Sequence, residues 1–140
     1  MPQPKSAIVF LVCIAMLFAA SRAHADAAAG KSVVEIRSYN LKPGTRERFH
    51  RLFLEQARPL LQQAGIDIVA YGASVHDEDS YFLMRAFPGV AERQSAEDAF
   101  YQSSAWREGP RQEILDCIES YTTVVVEIDG ATLAGLRAIP

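Results

Sequence analysis

IESYTTVVVEI, Ile118 to Ile128, is the stretch on which the fold turns. Its β-branched and aromatic residues mark a strand. Val124, Val125, Val126 and Ile128 run almost without a polar break, so both faces of the strand are apolar, and such a strand is covered on both faces. IDIVAYGASV (Ile66 to Val75) has the same character. SYFLMRAF (Ser80 to Phe87) follows across the polar turn HDEDS and reads as its hairpin partner. VVEIRSY (Val33 to Tyr39) is a further strand, with Val34 and Ile36 on one face and Val33, Glu35, Arg37 and Tyr39 on the other.

Two helical segments separate these strands. After Pro43-Gly44, Thr45 is placed to cap a helix, and Phe49, Leu52, Phe53, Ala57, Leu60, Leu61 and Ala64 recur at helical spacing as far as Gly65. Pro59 lacks a donor and predicts a kink near Arg58. Val90 to Ser103 predicts a second helix with Ala96, Ala99 and Phe100 inward. Ser103-Ser104 breaks it, and a short helix with an early interruption at Gly109-Pro110 runs toward Cys117.

The order is β-α-β-β-α-β, an α+β, ferredoxin-like plan with a four-stranded antiparallel sheet and helices on one face. One set of helices covers one face only. The simplest cover for the other is a second copy, which predicts a homodimer in the form of a dimeric α+β barrel.

The rest of the chain bounds the function. Of its 140 residues 49% are hydrophobic, but Ala7 to Ala20 is a short uncharged apolar run between Lys5 and Ala23-His24-Ala25. That pattern reads as a secretory signal peptide cut after Ala25; the alternative is a retained membrane anchor, for which the run is short. Expected boundaries are 1–25 signal peptide, 26–32 flexible lead, 33–128 folded domain and 129–140 tail. The cut removes Lys5 and Arg22 but no acid, so the charge moves from −3 to −5. An exported, periplasmic or secreted, protein with no membrane segment after cleavage is expected. An acid excess without a basic block argues against nucleic-acid partners. The mature chain keeps one cysteine, Cys117, and no Cys/His cluster, so neither an internal disulfide nor a metal site is expected.

Three segments resemble the NIPSNAP family. VEIRSYNLKPG (Val34 to Gly44) is similar to its opening strand and Pro-Gly turn, and DSYFLMRAFPG (Asp79 to Gly89) to its central strand. FYQSSAWR (Phe100 to Arg107) resembles its helix-to-helix junction. The resemblance covers about Val33 to Ile128 and implies a dimeric α+β barrel, with little about chemistry. Many bacterial members carry a His-Arg pair soon after the tryptophan. Here Gly109-Pro110-Arg111 stands there, so a role resting on that histidine does not carry over.

Arg37 and Arg85 lie on what the topology makes the central pair of strands. Unpaired guanidiniums there are costly. One reading is a polar cavity in which an arginine holds a carboxylate or enolate in bidentate fashion. The other, and the commoner fate of buried charge, is internal pairing with Glu35 or Glu127. Tyr39 shares a face with Arg37. Tyr101 and Trp106 flank the helix break and either line a pocket or anchor the junction to the core. His50 is expected to face solvent, and His76 opens the polar turn Asp77-Glu78-Asp79. No nucleophile setting, phosphate loop or cofactor motif is present. The candidate site is therefore Arg37, Tyr39, Arg85, Tyr101 and Trp106. Two functions follow. The first is a non-catalytic module binding a small molecule or a protein. The second is a cofactor-independent monooxygenase for a phenolic or polyketide-like compound, whose substrate supplies the electrons. A haem-degrading variant would need a pocket-facing histidine.

Overall fold

Four strands form the single sheet of the computed structural model, which describes residues 30–137. They are β1 (Lys31–Leu41), β2 (Asp67–Ala73), β3 (Ser80–Phe87) and β4 (Ile118–Asp129), in the spatial order β2-β3-β1-β4 and all antiparallel to their neighbours. The expected plan is thus present, with β1 and β3 as the central pair. The signal-peptide reading of Met1 to Ala25 lies outside the described residues.

Helix α1 (Arg46–Leu52) runs into a π-helical turn (Phe53–Ala57) and then α2 (Arg58–Gln63). The turn explains how Pro59 is tolerated. Arg58 N–H donates to Phe53 O, one residue further back than in an α-helix, and Pro59 enters α2 in its first turn, where a missing donor costs nothing. Gly65 then takes φ 73°, the left-handed conformation that ends a helix. Thr45 does not cap α1 through its side chain. Its hydroxyl donates to Lys42 O at 2.7 Å and Cys117 O at 3.1 Å, tying the Pro-Gly turn to the end of a later helix.

The second crossover is α3 (Val90–Gln102), α4 (Ser104–Arg107) and α5 (Arg111–Cys117). Ser103 Oγ accepts from Trp106 N at 3.2 Å and starts α4. Gly109 separates α4 from α5, and a Cβ added there would stand 2.3 Å from Ala105 O. The backbone is too tightly folded for any side chain at that position, which accounts physically for glycine at this junction.

These helices cover one face of the sheet. Val33, Tyr39, Leu41, Tyr81, Leu83 and Phe87 of the strands meet Phe49, Leu52, Phe53, Leu61, Phe100, Trp106 and Ile114 in one core. The opposite face carries an addition. The segment read as a tail forms α6 (Gly130–Arg137), and its Leu133 and Leu136 pack near Val34, Val69 and Ala86. Arg137 pairs bidentately with Asp67 and pins the helix to β2. Ile36, Phe82 and Met84 on that face remain only partly buried, and Val124 is 50% exposed.

Candidate functional site

The helix-facing side of the sheet holds a buried ion cluster where an apolar layer would be ordinary. β1 and β3 put Glu35 directly opposite Arg85, and both are fully buried. Arg85 Nη2 pairs with Glu35 and with Glu97 of α3. Arg93, one helical turn before Glu97, pairs with Glu35 and lies 2.8 Å from Glu97 Oε2. Arg37 Nη2 lies 3.2 Å from both Glu35 Oε1 and Glu97 Oε1. Three guanidiniums thus face two carboxylates, and one positive charge is left over.

The two acids respond differently. Burial opposes the charge on Glu35, but the charge and hydrogen bond of Arg85, with Arg37 behind, hold its carboxyl at about 2. Burial pushes the Glu97 carboxyl up, and its contact with Glu35 adds to the rise.

Arg37 is the member of the cluster that lines the aromatic cleft. Its Nη1 donates to Tyr101 Oη at 2.8 Å, and Arg85 Nη1 approaches the same oxygen at 3.4 Å. Its guanidinium carbon lies 5.8 Å from the Tyr101 ring centre and 5.2 Å from that of Tyr121, within cation–π range. Its Nε is buried without a partner. Together with Tyr39, Trp106, Ile114, Ile118 and the exposed Arg111 and Leu115, these residues line a cleft of about 360 Å3 that opens to solvent.

The structure therefore brings Arg37, Tyr39, Tyr101 and Trp106 into one cleft. Arg85 does not reach it. Arg85 is sealed behind Arg37 as the centre of the ion cluster, because its partner on β1 lies directly across the ladder. Of the two pairing partners expected, Glu35 is used, while Glu127 lies 3.5 Å from Lys31 at the sheet edge. Glu97 and Arg93 escaped the sequence reading, which turned Ala99 inward; Ala99 is exposed and Glu97 is buried. The helix is rotated because the sheet offers it charge at Arg85. The signal was present in the i, i+4, i+8 series Arg93, Glu97, Tyr101, a charged stripe that becomes aromatic. Tyr121, directly opposite Tyr39 on β4, was also missed.

The histidines stand apart from the cleft. His50 is half-buried rather than solvent-facing, its Nδ1 2.8 Å from Tyr81 Oη. His76 is exposed in the hairpin turn. Among the described residues, no three of His, Cys, Asp and Glu gather as metal ligands. Cys117 is buried, and burial pushes its thiol up.

Fold and site together define a ferredoxin-like α+β domain with an aromatic, basic cleft between the sheet and its second crossover. A sequence model of the NIPSNAP family matches residues 34–126, and the chain belongs to that family. Solved structures agree. A NIPSNAP family protein of unknown function from Agrobacterium tumefaciens superposes with TM-score 0.65 at 18% identity, covering 70% of this chain and 88% of its own. A NIPSNAP domain protein from Burkholderia xenovorans gives TM-score 0.61 at 15% identity, covering 67% and 91%. The likeness extends to a putative antibiotic biosynthesis monooxygenase from Bordetella bronchiseptica, with TM-score 0.54 and 26% identity over 70% of this chain and 95% of that one. A search of curated proteins finds no match.

Proposed function

We propose that this protein is an exported homodimer that holds a small anionic aromatic compound, a carboxylate or an acidic phenol, in the cleft. The observation that carries the reading is Arg37. Its guanidinium lies within cation–π range of two tyrosine rings at an open cleft, and it belongs to a cluster with one positive charge in excess. An anion supplies the missing charge, and aromatic walls suit a flat ring. No histidine, cysteine or carboxylate lines the cleft among the described residues, which favours binding over acid–base chemistry.

The second reading, cofactor-independent oxygenation of a phenolic or polyketide-like compound, is supported by the likeness to the Bordetella monooxygenase-like protein. Calorimetric titration with benzoate, 4-hydroxybenzoate and anthrone, paired with an oxygen electrode, separates the two. Saturable binding that Arg37→Gln weakens by about tenfold or more supports the cleft, since hydrogen bonds to charged groups contribute about 1.5–3 kcal/mol. Oxygen uptake abolished by the same substitution selects the enzyme; binding without uptake selects the module. Binding that ignores Arg37→Gln, or no binding at all, removes the cleft from the function.

The homodimer reading rests on the sheet face that α6 leaves partly open. Ile36, Phe82, Met84 and Val124 present apolar surface there, which a second copy would cover. Light scattering of residues 26–140 at about 10 μM, in the range of ordinary protein affinities, is expected to return twice the chain mass. A monomer at that concentration removes the barrel.

A further inference from the structure

The cleft continues past its aromatic walls. Arg111 lines it from the start of α5 and also lines an adjoining hollow of about 330 Å3, together with Gln102, Ser104, Arg107 and Glu108. Arg107 and Arg111 are exposed. Among the described residues, neither has a carboxylate within salt-bridge distance. The acids nearest along α5 are engaged elsewhere: Glu113 Oε2 lies 3.5 Å from Arg48, and Asp116 accepts from Gln112 at 2.8 Å. Glu108 is the one carboxylate of the hollow, against two guanidiniums. The chain as a whole carries −3, so this positive surplus is local. Beside Arg37 it extends a positive line from the buried cluster to the surface, an arrangement that draws and orients anions.

We propose that the hollow is a second anion subsite and that the bound compound is an aromatic dianion. Its ring lies against Tyr101, Trp106 and Tyr121, one acidic group meets Arg37, and the other meets Arg107 and Arg111. The inner group is held where water is scarce and hydrogen bonds to charge are strong. The outer group is held at the surface, where attraction is weaker and is screened by salt. Discrimination between a monoacid and a diacid therefore falls mainly to Arg107 and Arg111.

This rests on the ligand-binding reading of the cleft, and calorimetry tests the two separately. The probes are benzoate and three aromatic dicarboxylates of increasing span: terephthalate, 4-carboxyphenylacetate and 4-carboxycinnamate. At least one diacid is expected to bind about tenfold more tightly than benzoate at low salt, with the advantage shrinking at 0.5 M NaCl. Arg107→Gln touches only the outer hollow and is expected to weaken that diacid by about fivefold, the upper range for an exposed ion pair, while leaving benzoate unchanged. Arg37→Gln is expected to weaken both. If benzoate binds in an Arg37-dependent way but no diacid binds more tightly, or Arg107→Gln affects neither, the second subsite is wrong and the cleft stands. If no probe binds, or Arg37→Gln changes nothing, both readings fall.

Discussion

Arg85→Met is expected to destabilise the domain by about 3–5 kcal/mol, the cost of breaking a buried ion pair and leaving its acids uncompensated. Arg85 is fully buried and is the shared partner of Glu35, directly opposite it on β1, and of Glu97 from α3. Methionine fills much of the volume but offers neither acid a donor. Arg93 and Arg37 remain, but they approach from the cluster's more exposed sides. For a domain of this size the loss corresponds to a fall in Tm of at least about 12 °C.

The acid limb gives the same prediction a sign. Glu35 is held at about 2, below its ordinary value of 4.5. A depressed carboxyl stabilises the folded state above its unfolded pKa, and that contribution is lost as pH falls through 4.5 toward 2. Glu97 acts in the opposite sense: its raised carboxyl favours the folded state as it takes up a proton. Without Arg85, Glu35 loses its largest attraction and its carboxyl rises, so the acid limb is expected to flatten. Urea midpoints of wild type and Arg85→Met from pH 7 to pH 2 measure both effects. A loss under about 1 kcal/mol, with an unchanged acid limb, would mean that the cluster is solvated and carries little stability.

Trp106→Ala is expected to cost about 3–5 kcal/mol as well, by a different route. Trp106 is 8% exposed. Its ring lies 5.2 Å from Phe100 and 5.7 Å from Tyr101, edge-on to the latter. Ser103 fixes its backbone by capping α4. Truncation removes the wall between cleft and core, so stability and ligand affinity fall together. Trp106→Phe keeps an aromatic wall and is expected to retain most of the stability. Trp106 is the only tryptophan in the chain, so its fluorescence reads the cleft directly: binding of an aromatic acid in wild type should change its emission. A Trp106→Ala protein as stable as wild type would show that the junction is held from elsewhere.

Much of this was legible in the sequence, for particular reasons. Period-two alternation in Val33 to Tyr39 separates the Glu35–Arg37–Tyr39 face from the Val34–Ile36 face, and the structure keeps that division. Pro59 announced an irregularity that became a π-helical turn. Arg37, Tyr39, Tyr101 and Trp106 were legible as a group because each is an unusual residue on a core-facing position. The ion cluster was half legible. Glu35 is visible opposite Arg85 once β1 and β3 are paired, but Glu97 is not, since an acid on an amphipathic helix normally faces water. Only the charge on the sheet makes the inward position favourable.

The C-terminal helix marks the same limit. Gly130 to Arg137 carries Leu133 and Leu136 at i, i+3 spacing, too few apolar residues to declare a buried face alone. It becomes a helix packed on the sheet because Val34, Val69 and Ala86 form an apolar seat and Asp67 stands where Arg137 can reach it.

The sequence by itself determined the element order from β1 to β4, the ferredoxin-like plan, the family and the two faces of each strand. These depend on local spacing and on turn residues, which short windows of chain contain. Tertiary structure alone decided that Arg85 is sealed in an ion cluster while Arg37 reaches the cleft. Both arginines point to the same side of the same central strand pair. What separates them is the register of β1 against β3 and the rotation of α3, which set Glu35 and Glu97 around one guanidinium and leave the other beside Tyr101 and Tyr121. Contacts between residues 50 or 60 positions apart decide that outcome, and no local pattern encodes them.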